Sequence, residues 1–139
     1  MFALVGQNAA SLPLFISMKE GDNGNSDSTL TLGDPGSIAD GDFLIAFIWN
    51  RGNATVSSFT GFTQRAASTI TIDSTSRRLE IWTKVASSES GDYTVNMSSG
   101  QDANVGVILC YRNANATLDL ATITGINTGA VTRCSGPSP

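Results

Sequence analysis

The sequence predicts an all-β domain, a two-sheet antiparallel β-sandwich with jelly-roll-like winding. Short apolar or alternating runs recur along the chain, separated by clusters of Gly, Asn, Asp and Ser. Stretches of helix length with a 3.6-residue apolar period are absent. With 139 residues, 40% of them apolar, the chain has material for one core and not for two. Residues 1–127 are therefore read as a single domain and residues 128–139 as a Gly/Ser/Pro-rich tail. A closed barrel is the alternative architecture.

Apolar or alternating runs place strands at 2–6, 14–19, 28–32 and 43–50 in the first part of the chain. Shorter runs follow at 54–58, 62–66 and 69–72, then longer ones at 78–86, 92–98, 104–112 and 118–125. Tyr93, Val95 and Met97 alternate with Thr94, Asn96 and Ser98, so that strand is expected to bury one face and wet the other. Phe43-Leu44-Ile45-Ala46-Phe47-Ile48-Trp49 is apolar on both faces. Such a strand is either central and covered on both sides, or its outer face is an interface. Turns are expected at Ala39-Asp40-Gly41-Asp42, Asn50-Arg51-Gly52-Asn53, Ser90-Gly91-Asp92 and Asn113-Ala114-Asn115. Residues 21–28 form the longest polar stretch and read as an exposed loop. No internal repeat is visible.

Composition narrows the partners. Only 14% of residues are charged, so small neutral polar groups must carry the surface, and such surfaces pack closely against neighbours. Eight basic against twelve acidic residues give a net charge of −4, with the basic residues mostly single. No stripe could neutralise a row of phosphates, and nucleic acid is not an expected partner. The N-terminus lacks a positive region, and its apolar run ends at Gln7 and Asn8, which makes a poor signal peptide. No segment reaches the roughly 18 apolar residues that would span a bilayer, so no membrane partner is expected, and the protein reads as made and kept in a cytoplasm. Cys110, in the run Val105 to Tyr111, is expected as a buried free thiol, while Cys134 lies in the tail. A disulfide between them stays open; a disulfide scaffold does not.

The inventory of reactive side chains argues against catalysis. The chain has no histidine, which removes Ser-His-Asp, Cys-His and His-ligated metal arrangements. A carboxylate pair could still act as a glycosidase does. Of the acidic residues, the glutamates are Glu20, Glu80 and Glu89, and most aspartates stand in turn contexts that explain them structurally. Asp22, Asn23, Asn25 and Asp27 offer oxygen ligands in one loop, yet Gly33 occupies the place of the bidentate Glu of an EF-hand, so a solvated loop is preferred to calcium and no cofactor is expected. The sequons at Asn53, Asn96 and Asn115 are what Asn-, Ser- and Thr-rich sequence yields by chance.

Trp82 is the candidate sugar-stacking residue. It lies between Glu80 and Lys84 on one strand face, with Leu79, Ile81 and Val85 on the other. Packing over the sandwich or under a loop is the structural alternative, and Trp49 is expected in the core. Arg77 and Arg78, with Arg51, Arg65 and Arg112, are candidates for meeting an acidic patch on a partner, against the simpler reading of solvated arginine.

Five blocks in order carry a family resemblance: Asp40-Gly41-Asp42-Phe43-Leu44-Ile45-Ala46-Phe47, Gly61-Phe62-Thr63, Arg78 to Ala86, Ser90 to Ser98, and Ile108-Leu109-Cys110-Tyr111-Arg112-Asn113. The order resembles that of β-sandwich domains in phage tail fibres, head fibres and capsid decoration proteins, over roughly residues 38 to 120. Phe62 stands where that family more often has Trp. Longer members carry further strands after the last block, so a sheet here is expected to lack an internal partner and to oligomerise or dock on a larger assembly. The resemblance implies a virion structural protein on the capsid surface, a decoration or cement protein contacting the major capsid protein or copies of itself. A fibre module binding host-surface carbohydrate is the alternative.

Overall fold

Alternation in the sequence becomes alternation in burial. A computed structural model of the protein describes residues 12–24, 27–72, 74–99 and 103–114. The expected strands at 2–6 and 118–125, the tail, Asn25 and Cys134 lie outside the described residues. Among those residues there are eight strands and no helix: β1 (Leu14–Asp22), β2 (Thr29–Leu32), β3 (Phe43–Arg51), β4 (Val56–Phe59), β5 (Thr63–Ile72), β6 (Thr75–Val85), β7 (Tyr93–Met97) and β8 (Asn104–Arg112). They form two antiparallel sheets, ordered β1-β8-β3-β6-β5 and β2-β7-β4. The pairs β1·β8, β2·β7 and β3·β6 nest inside one another along the chain. The arrangement is consistent with the expected sandwich.

The two sheets contribute to one buried cluster. Leu30, Leu32, Val56, Phe59, Val95 and Met97 come from the smaller sheet, and Leu44, Ala46, Ile48, Ile108 and Cys110 from the larger. Each fully buried Leu or Ile stabilises the fold by roughly 1.5–3 kcal/mol. In β7 the alternation is as read, with Tyr93, Val95 and Met97 buried and Thr94 and Asn96 exposed. Two glycines set how closely the sheets approach. A Cβ on Gly21 of β1 would lie 1.9 Å from the backbone oxygen of Thr31, and one on Gly106 of β8 would lie 2.9 Å from the Leu32 side chain. Strand β2 thus lies directly on the backbone of β1 and β8.

Two turns have the chemistry their sequences require. The amide of Asp42 donates to the oxygen of Ala39 at 3.0 Å, and that of Phe62 to the oxygen of Phe59 at 3.1 Å. In each, the third residue is glycine with positive φ, 87° at Gly41 and 78° at Gly61.

Several boundaries differ from the sequence reading. Residues 62–66 and 69–72 belong to one strand, β5, bulged between Gln64 and Ala66. Ala66-Ala67-Ser68 resembles a break because it is small and polar, yet it pairs with Ile81, Glu80 and Leu79 of β6. The loop expected at 21–28 starts later, since Gly21 and Asp22 continue β1 opposite Gly106 and Val105.

Candidate functional site

Arg78, Glu80, Trp82 and Lys84 of β6 point inward. Glu80 is 2% exposed, and its carboxylate accepts from the amide of Val56 (3.1 Å), Gln64 Nε2 (2.5 Å), Arg78 Nε (2.6 Å) and Trp82 Nε1 (3.1 Å). Trp82, the candidate ligand residue, is partly buried against the core cluster with its ring edge-on to Phe59. On the same face Lys84 Nζ donates to Glu89 at 2.8 Å and lies over the rings of Phe62 and Tyr93. The Val56 amide and the Phe59 ring, both from β4 of the other sheet, make this charged face the inner one and leave Leu79, Ile81 and Val85 on the outside.

A second buried carboxylate ties the turn before β3 to the end of β8. Asp42 accepts from Arg112 Nε at 2.9 Å and Nη2 at 2.8 Å, and from the amide of Ala39 at 2.8 Å. The Arg112 hydrogen bonds, assisted by the Ala39 amide and acting against burial, hold the Asp42 carboxyl down from 3.8 to about 2. Next to it, burial and the Asp42 charge push the Cys110 thiol up to about 11, so it stays a protonated core residue. Arg112, a candidate for meeting a partner, is thus engaged inside its own chain.

A depressed carboxyl makes a signed prediction. Asp42 contributes fully above its unfolded value of 3.8, and its contribution is lost as pH falls through the folded value of about 2. Urea unfolding across pH 5 to 2 should show stability falling in that window. Asp42→Asn should be less stable than the parent at pH 5, with a shallower fall below pH 4. A parallel pH profile for the two proteins would remove Asp42 as the titrating group.

The oxygen-rich loop is organised by its own hydrogen bonds. Asp22 Oδ1 accepts from the Gly24 amide at 2.6 Å and Asp27 Oδ1 from the Thr29 amide at 2.9 Å, both side-chain turns of the Asx kind. Asn23 Oδ1 accepts from the Asn104 amide at 2.9 Å, which ties the loop to β8. Asn104 is completely buried, and its Oδ1 accepts from Asn50 Nδ2 on the adjacent β3. Among the described residues no group of three or more Cys, Asp or Glu is placed to hold a metal ion.

The outer face of the five-stranded sheet is the surface with docking character. Alternation turns Phe43, Ile45, Phe47 and Trp49 of β3 away from the core-facing Leu44, Ala46 and Ile48. Flanking them are Val105, Val107, Leu109 and Tyr111 of β8 and Leu79, Ile81 and Val85 of β6. Register adds Phe15 and Met18 of β1, beside Tyr111 and Leu109. Phe15, Met18 and Val85 are 48%, 52% and 46% exposed. Among the described residues, no strand packs over this face.

A groove of about 730 Å³ runs along the face, lined by Trp49 and Phe47 on one side, Val105 and Val107 along its floor, and Glu20 and Asp22 on the other. Trp49 is therefore not in the core, as its sequence suggested, but on the open face, with the Arg77 guanidinium 5.8 Å from its ring centre. The neighbours Arg77 and Arg78 part company. Arg77 joins Arg51, its cross-strand partner, at one corner of the outer face, while Arg78 turns inward to Glu80. The apolar run on both faces of β3 was the signal for this site; the identity of its tryptophan was not. Among the described residues no helix is long and apolar enough to cross a membrane. Comparison of the chain with protein-family models, with curated proteins and with solved structures finds no match.

Proposed function

We propose that this protein is a virion structural component of a phage, a capsid decoration or cement protein that reinforces the shell by bridging capsomers through protein contacts. The observation that carries the reading is the apolar outer face of the five-stranded sheet. Faces of this extent on a polar-surfaced domain mark interaction sites. The ordered blocks from Asp40 to Asn113 that resemble phage virion domains supply the particle, and the nested strand pairing supports a jelly-roll-like winding. Among the described residues, the buried carboxylates Asp42 and Glu80 are each engaged in a structural ion pair with arginine, which favours a binding role over catalysis. In this reading the protein is made in the host cytoplasm and works on the capsid surface, against the major capsid protein and copies of itself.

Co-sedimentation with shells that carry no copy of the protein tests this. Saturable binding at a ratio set by capsid symmetry is the expected result; failure to bind intact shells at micromolar concentration counts against it. The groove beside Trp49 favours a second reading, a fibre module holding host-surface carbohydrate, because an aromatic ring opposite two carboxylates suits stacking with hydroxyl recognition. Glycan binding that is lost in Trp49→Ala and kept in Arg112→Lys would favour that reading.

A further inference from the structure

We infer that the outer face of the five-stranded sheet is a two-fold interface on which a second copy of this chain docks face to face, Trp49 and Phe47 of each copy filling the groove of the other. The inference rests on the reading of this face as a docking surface and names its occupant.

Size is the first argument. The four strands β1, β8, β3 and β6, about 4.8 Å apart and nine residues long at about 3.3 Å per residue, present roughly 570 Å². That is about seven-tenths of the ~800 Å² each partner buries in a standard stable interface and stands at the upper end of the ~300–600 Å² apolar patch of an ordinary monomer, a size often tied to function. Two such sheets stack about 10 Å apart, as the layers of a sandwich do.

Charge and shape then fix the geometry. Acidic and basic groups on the face stand at the same end of the strands but on opposite sides. Glu20 and Asp22 are on β1 at the level of Val107 and Val105, while Arg77 and Arg51 are on β6 and β3 just beyond Leu79 and Trp49. A two-fold axis parallel to the strands, passing between β8 and β3, carries β8 over the partner's β3 and β1 over the partner's β6. Large then meets small, because Trp49 and Phe47 are level with Val105 and Val107 and come to rest on them. Negative meets positive, because Asp22, at the level of Trp49 and Leu79, arrives two residues along the strand from the Arg77 corner. Both matches occur twice, as an isologous interface requires.

Strand β5 falls outside this footprint. Its Ile70 and Ile72, 36% and 49% exposed, would project from opposite sides of the dimer. Two identical edges pointing apart are what a protein needs to touch two capsomers at once.

Light scattering on the full chain tests the inference. At micromolar concentration the expected mass is twice that of the chain. Val107→Glu, which buries a charge in the groove floor, should raise the dissociation constant at least about a hundredfold, with a melting temperature in dilute solution close to that of the dissociated parent. Asp22→Arg and Arg77→Glu should each be monomeric alone and form a dimer when mixed, because only the mixed pair restores both charge contacts. A monomeric parent, whether its face is covered by its own chain or by a bound glycan, overturns the inference. So does a dimer untouched by Val107→Glu. The shell assay reads separately: a monomer that decorates shells leaves the virion reading standing, and a dimer that ignores them leaves only the interface.

Discussion

Glu80→Ala should destabilise the fold by about 3–5 kcal/mol, the range found when one member of a buried ion pair is removed. The carboxylate accepts from the amide of Val56 on β4, the side-chain amide of Gln64 on β5, the guanidinium of Arg78, which also donates to Thr69 Oγ1, and the indole of Trp82. Alanine leaves the buried Val56 amide without this acceptor, takes it also from the Trp82 indole and the Arg78 guanidinium, and lets go of a contact that holds the two sheets together. Set against a net stability of about 5–15 kcal/mol for a domain, the loss is a large fraction of the whole. Urea unfolding reads it as a lower midpoint at an unchanged slope. Glu80→Gln should lie between, because its amide keeps one acceptor but sets a donor against donors. A midpoint for Glu80→Ala within error of the parent would mean that the inward polar cluster does not hold the sheets.

The second large effect is expected at Gly21. Glycine to alanine within a strand normally gains about 0.5–1 kcal/mol. Here the sign should reverse, with a loss of about 3 kcal/mol or more, because the added Cβ would stand 1.9 Å from the backbone oxygen of Thr31. That oxygen cannot yield without moving β2 out of register with β7, where Thr31 pairs with Thr94. Gly24→Asn serves as the control. Gly24 has a φ of 62° and open space where a Cβ would go, and asparagine tolerates that conformation. Thermal unfolding should separate the two variants by about 10 °C or more, and equal melting temperatures would contradict the close approach of the sheets.

Both sites show what local pattern could and could not deliver. The strands β2, β3, β7 and β8 were legible because their apolar residues alternate or run unbroken, and Tyr93, Val95 and Met97 point inward as their spacing says. Strand β5 was not. As an edge strand it has mostly exposed residues and little alternation, so Ala67 and Ser68 look like a gap. The orientation of β6 was equally hidden. By polarity alone its Leu79, Ile81 and Val85 face looks like the inner one, but partners supplied by Val56 and Phe59 of the other sheet draw Glu80 and Trp82 inside. The proposed docking face was half visible. The apolar run Phe43 to Trp49 announced an interface or a covered strand, whereas the acidic wall at Glu20 and Asp22 emerges only once β1 pairs with β8. Gly21, which looked like part of a polar loop, owes its importance to a neighbour ten residues on.

The nesting of β1·β8 around β2·β7 and β3·β6 also sets a timetable. Leu14 cannot meet Arg112 until nearly all the described chain has been made, and closing a loop of about a hundred residues costs roughly 4 kcal/mol of chain entropy before any contact offsets it. The short hairpin of β5 and β6 can form at once, but the outermost pair must wait. Folding should therefore run on the millisecond-to-second scale of chains dominated by distant pairings. For that interval Phe15 and Met18 ride on an unpaired strand, so the yield on refolding should fall steeply as chain concentration rises.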